Sequence, residues 1–121
     1  MTKDVEDNQS RSEEIVELGR LHIRSERDGD VHAITLRGEF DLAYARDVED
    51  ELKRVEATDA RSIILDLSGL RFLDSTGIRL ILEAQIRSRQ DAHRLVLLRA
   101  PRTVQRVFTI AGVEKMLPFA D

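Results

Sequence analysis

Asp74-Ser75-Thr76-Gly77 is the stretch whose residue types and order could carry chemistry. An apolar run, Ile63-Ile64-Leu65-Asp66-Leu67, precedes it, and a helix-forming run from Ile78 to Ile86 follows. The oxygen-bearing side chains therefore fall where a strand hands over to a helix. There a side-chain oxygen can accept from the free N–H groups of the first turn, and the helix end favours an anion. A serine hydroxyl at that place is exposed, held by backbone and set among groups that tolerate a phosphate. Three roles follow for Ser75: helix N-cap, nucleophile, or phosphoacceptor read by a partner protein. A nucleophile needs a base within reach and an oxyanion site. The surroundings do not spell Gly-x-Ser-x-Gly, and His93, in a loop after the helix, has no evident orienting partner. The chain is not expected to be an enzyme. No phosphate-binding Gly-rich loop points to a kinase or NTPase either. A phosphate on Ser75 would add about −1.5 to −2 charges beside Asp74, and would repel a partner fitted to the neutral hydroxyl.

The elements that must position this stretch can be read from the pattern. Residues 1–17 are polar and charged and read as a flexible tail, with a short helix through Glu13–Leu18 as the alternative; residues 18–121 form the domain. Leu21–Ser25 alternates as an edge strand, Asp28-Gly29-Asp30 is a hairpin turn, and Val31–Leu36 alternates again. His22 and His32 could pair across this hairpin; with no third ligand evident, a metal site is not expected. Asp41 is placed to cap a helix from Leu42 to about Glu56, with Ala45, Val48, Leu52 and Val55 as its buried stripe. Glu49–Lys53 and Asp50–Arg54 are spaced to pair along it. Arg61–Leu67 reads as a central parallel strand buried on both faces. In the helix opened by Ser75, the core face is expected to be Ile78, Ile81, Leu82 and Ile86, leaving Leu80 exposed as a docking contact. Leu95–Leu98 is the next strand. Pro101 opens a last helix closed by Gly112, and Leu117-Pro118-Phe119 is a short extended piece. The expected fold is one α/β domain, a mixed sheet of four to five strands with helices packed on it, in the order β-β-α-β-α-β-α.

Composition narrows the classes. The 121 residues suit one domain with a single core. The formal net charge of −4 argues against a nucleic-acid binder, and the arginines between Arg87 and Arg106 read as a solvated face. With no cysteine, thiolate metal sites, disulfides and thiol catalysis are excluded. One Tyr, four Phe and no Trp leave few stacking platforms. No apolar run approaches the roughly 20 residues that span a bilayer, and the polar N-terminus is no secretory signal. A cytoplasmic protein without membrane, metal or cofactor partners is expected.

The stretch from Ile63 to Gly77, with Asp66-Leu67-Ser68-Gly69 and Asp74-Ser75-Thr76-Gly77, resembles the core of STAS domains, specifically the bacterial anti-sigma-factor antagonists. Gly38-Glu39-Phe40-Asp41 is similar to the family's Gly-Glu-hydrophobic-Asp element, and Pro101 through Gly112 to its last helix. The resemblance runs from about Leu21 to Phe119. It implies a protein that binds an anti-sigma factor, itself a serine kinase, and so frees a sigma factor for transcription. It implies that the kinase phosphorylates Ser75 and loses affinity, and that a PP2C-type phosphatase reverses the step. Glu39, Asp41, Asp74, Thr76, Gly77, Arg79 and Leu80 would form the partner surface of a monomer or weak dimer. Arg79 stands where many relatives carry a small residue. A STAS subunit of another assembly, such as a stress-signalling complex or a lipid-transport system, is the alternative.

Overall fold

The computed structural model describes residues 11–120. Five strands form one sheet in sequential order: β1 (Arg11–Leu18), β2 (Leu21–Asp28), β3 (Val31–Phe40), β4 (Ser62–Leu73) and β5 (Arg94–Leu98). The first two junctions are antiparallel hairpins, and β3, β4 and β5 run parallel. Parallel neighbours need long crossovers; helix α1 (Ala45–Glu56) links β3 to β4 and helix α2 (Ser75–Gln90) links β4 to β5. Helix α3 (Arg102–Ile110) follows β5. This is the expected mixed-sheet α/β domain with one further strand.

That strand is the largest departure from the sequence reading. Residues 11–17, expected as tail, belong to β1, which pairs with β2 from Arg11↔Asp28 to Leu18↔Leu21; residues 1–10 lie outside the described residues. Ile15 and Val16 remain exposed, so β1 is held by its ladder and by ion pairs, Glu13 with Arg24 and Glu14 with Arg54. Little apolar burial means little apolar signal. Gly19, with φ +75°, makes the tight return. In consequence β2 is an interior strand. His22 lies opposite Arg37 and His32 opposite Arg27, so the two histidines do not meet.

The core lies on one face of the sheet. Leu21, Ile23, Ile34, Leu36, Ile63, Leu65, Leu67, Leu95 and Leu97 point the same way and pack with Val48, Leu52, Val55, Ile81, Val104 and Phe108 of the helices. β4 is thus buried on one face and only half-buried on the other, not on both as its apolar run suggested. In α1 the stripe is as expected and Glu49 meets Lys53, but Arg54 pairs with Glu51 and Glu14 in place of Asp50.

Helix α2 is rotated from its expected face. Gly77, Ile78, Leu80, Ile81, Ala84 and Ser88 are buried, while Ile86 is 57% exposed. The small residues set this rotation. A Cβ on Gly77 would lie 2.4 Å from Leu73 Cδ1 and 3.2 Å from the Phe40 ring, so the bare backbone of the first turn rests on those side chains. Helix α3 ends as expected: Val113 N–H donates to Phe108 C=O at 3.1 Å and Gly112 N–H to Thr109 C=O at 3.0 Å, with Gly112 at φ +78°. Leu97 then takes Pro118 and Ala120 alongside, through hydrogen bonds of 3.0 and 2.9 Å.

Candidate functional site

The C-terminal ends of β3 and β4 bring two loops together. One carries Asp41 and the 3-10 turn Leu42–Tyr44; the other carries Asp74 and the start of α2. Asp74 is the N-cap, in extended backbone, and Ser75 is the first helical residue. Asp74 Oδ1 accepts from Thr76 N–H at 3.0 Å and Gly77 N–H at 3.3 Å, while Oδ2 accepts from Leu42 N–H at 3.1 Å. One carboxylate therefore caps the helix and ties the two loops.

The cap role falls to Asp74, so Ser75 has no structural duty. Its side chain is exposed, and its hydroxyl makes no hydrogen bond among the described residues. The neighbouring amides of Thr76 and Gly77 are occupied by Asp74, and that of Ile78 donates to the Asp74 carbonyl at 3.2 Å. A phosphate on Ser75 would stand beside a carboxylate, with most first-turn donors already engaged.

Asp41 and Glu39 are organised by Arg20, which the sequence reading did not single out. Arg20 Nε donates to Glu39 Oε1 at 2.9 Å and Nη2 to Asp41 Oδ2 at 3.0 Å. The Arg20 amide donates to Tyr44 Oη at 3.2 Å, and its guanidinium sits 5.5 Å from the centre of the Tyr44 ring. The Asp41 hydrogen bond, then the charges of Tyr44, Asp41 and Glu39, hold the Arg20 pKa above its ordinary value despite opposing desolvation. Arg20 lies in the β1–β2 turn, far along the chain from its partners, so only the tertiary fold reveals it. Asp41 Oδ1 also accepts from Ala43 N–H at 2.9 Å, the expected cap, applied to the 3-10 turn that precedes α1.

The expected partner-surface residues divide. Arg79 is exposed, with Nη1 3.2 Å from Glu83 Oε2; Asp74 and Thr76, on either side of Ser75, and Glu39 and Asp41, at the end of β3, are partly exposed. Gly77 and Leu80 are buried, Leu80 at 3%, and touch the core; neither is available to a partner. Apolar surface near Ser75 comes instead from Leu42, 71% exposed, and Phe72, 47% exposed.

The sequence matches the family model described as "Mlab, STAS domain" over residues 23–118. It is 33% identical to the putative anti-sigma factor antagonist BtrV of Bordetella bronchiseptica, over 71% of this chain and 74% of that protein. Among solved structures, the anti-sigma factor antagonist SpoIIAA in its unphosphorylated form superposes with a TM-score of 0.64, at 23% identity, covering 91% of this chain and 89% of that one. The phosphorylated form of the Bacillus SpoIIAA gives 0.58 at 22% identity, covering 91% and 92%. At these identities the two structures share the fold.

Proposed function

The chain belongs to the STAS-domain family of anti-sigma factor antagonists, and on that premise we propose that it is a phosphorylation-controlled binding module. Unphosphorylated, it binds a serine-kinase anti-sigma factor through the surface formed by Ser75, Asp74, Thr76, Arg79, Glu39 and Asp41, and the sigma factor is released. Phosphorylation of Ser75 by the bound kinase ends the interaction, and a PP2C-type phosphatase restores it.

The observation that carries this reading is the exposed Ser75 hydroxyl with no bond of its own, held at the start of α2 by the Asp74 cap. A phosphate there brings about −1.5 to −2 charges next to Asp74, and the fold need not change for a docking partner to be repelled. Arg79, four residues on, shares that helix face and would be drawn from Glu83 toward the phosphate. Incubation with candidate kinase anti-sigma factors and ATP, followed by mass spectrometry, should place phosphate on Ser75. Ser75→Ala should abolish labelling and retain binding; Ser75→Glu should weaken binding. Phosphate found only elsewhere, or equal binding by Ser75→Glu, refutes the proposal. The matched family model is described by its STAS domain and not by anti-sigma factor antagonism, which leaves a second reading, a STAS subunit of another assembly such as a lipid-transport system. That reading requires co-purification with membrane components and no dependence on Ser75.

A further inference from the structure

Beside the Ser75 loops lies a depression of about 260 Å³, lined by Gly19, Arg20, His22, Arg37, Gly38 and Arg71. Three of these six residues are arginine, in a chain whose net charge is −4. The guanidinium groups of Arg37 and Arg71 make no hydrogen bond or ion pair with any described residue. Of the acids near the rim, Glu39 and Asp41 are committed to Nε and Nη2 of Arg20, and Glu17 lies 3.5 Å from His22 Nδ1.

The backbone is shaped to leave this space open. The β3–β4 ladder passes from Gly38↔Leu70 to Glu39↔Phe72, which leaves Arg71 as an extra residue in a bulge; such a residue is turned out of the regular alternation. A Cβ at Gly69 would come within 2.7 Å of Arg37 Cγ, so the Arg37 stem lies directly over that glycine. At Gly38, with φ +102°, a Cβ would fall 2.1 Å from the Arg20 carbonyl oxygen. That close approach sets the β1–β2 turn against β3 and gathers Arg20 and Arg37 on one rim.

We propose that this depression binds a phosphomonoester dianion, gripped by Arg37 and Arg71 and bounded by Arg20. Two guanidinium forks free of carboxylates suit a phosphate, which each can meet through paired N–H donors. Because Arg20 also holds Glu39 and Asp41, an occupant would add negative charge at the border of the Ser75 surface. The site does not depend on Ser75, so its failure and that of the phosphorylation reading can be told apart.

The test is an amide chemical-shift titration of the full chain with inorganic phosphate, at ionic strength matched with chloride. Saturable shifts should centre on Gly19, Arg20, Gly38 and Arg71, and Ser75→Ala should respond equally. Arg37→Gln and Arg71→Gln, both at exposed positions, should each weaken binding about tenfold; Arg102→Gln, the same charge change on α3, should not. Gly69→Ala should weaken it by displacing Arg37. Glycerol 3-phosphate and vesicles of phosphatidic acid in phosphatidylcholine then separate a soluble ester from a lipid headgroup, and saturable binding of either supports the site. Absence of saturable shifts, or equal weakening by Arg102→Gln, overturns it.

Discussion

Replacing Asp74 with alanine should cost far more stability than replacing its neighbour Ser75. Among the described residues Asp74 supplies the one acceptor for the side-chain cap of α2, through Thr76 and Gly77, and separately receives Leu42 N–H. Loss of an N-cap of this type costs about 1 kcal/mol, and loss of a hydrogen bond to a charged, partly exposed carboxylate about 1 kcal/mol more. The expected penalty is therefore about 2 kcal/mol, or roughly 8 °C in melting temperature for a domain of this size. Ser75→Ala removes an exposed hydroxyl without a partner and should stay within about 0.5 kcal/mol of the parent. Urea unfolding followed by far-UV circular dichroism measures both, and equal slopes with denaturant would show that the same transition is compared. If Ser75→Ala were as damaging as Asp74→Ala, the division of labour between the two residues would be wrong. If Asp74→Ala cost under about 0.5 kcal/mol, the carboxylate would not be joining the loops.

Gly77→Ala should destabilise by about 1–3 kcal/mol through overpacking against Leu73 and Phe40; a neutral effect in urea unfolding would mean that the helix start is not pressed onto them. His32 is 4% exposed, with Nε2 3.3 Å from Ser25 Oγ and Nδ1 without a partner among the described residues. Burial, then the charge of Arg54, hold its pKa below the ordinary 6.5, against the opposing pull of Glu51. As pH falls below 6.5 the unfolded chain takes up a proton that the folded chain resists. Stability should therefore decline from that pH downward until the folded histidine also protonates. His32→Gln should remove this slope in urea midpoints measured across the range; an unchanged slope would point to another group.

How far the sequence reached depended on where each signal resides. The strand-to-helix junction at Asp74-Ser75-Thr76-Gly77 was legible because capping chemistry is local, although Asp74 holds the cap and Ser75 is left free. The end of α3 was legible for the same reason, through Gly112. β1 was hidden because Glu13, Glu14 and Glu17 dilute its pattern and its stability comes from main-chain pairing with β2. The burial of Leu80 was hidden because the small residues Gly77, Ala84 and Ser88 choose the core face of α2, whereas a count of large apolar residues favours Ile86. Arg20 was hidden because nothing near it in the chain names Glu39 and Asp41 as partners.

The return of the C-terminal segment along Leu97 has a consequence for self-association. An open sheet invites a foreign strand at either margin. Here the β5 margin is partly sealed, since Leu97 spends its outward N–H and C=O on Pro118 and Ala120. Among the described residues the open margin is that of β1, where Glu13, Glu14 and Glu17 are exposed. Glu13 and Glu14 already hold Arg24 and Arg54 there, so an incoming strand must displace charged, hydrated side chains, and fibril seeding should quicken once those carboxylates are protonated.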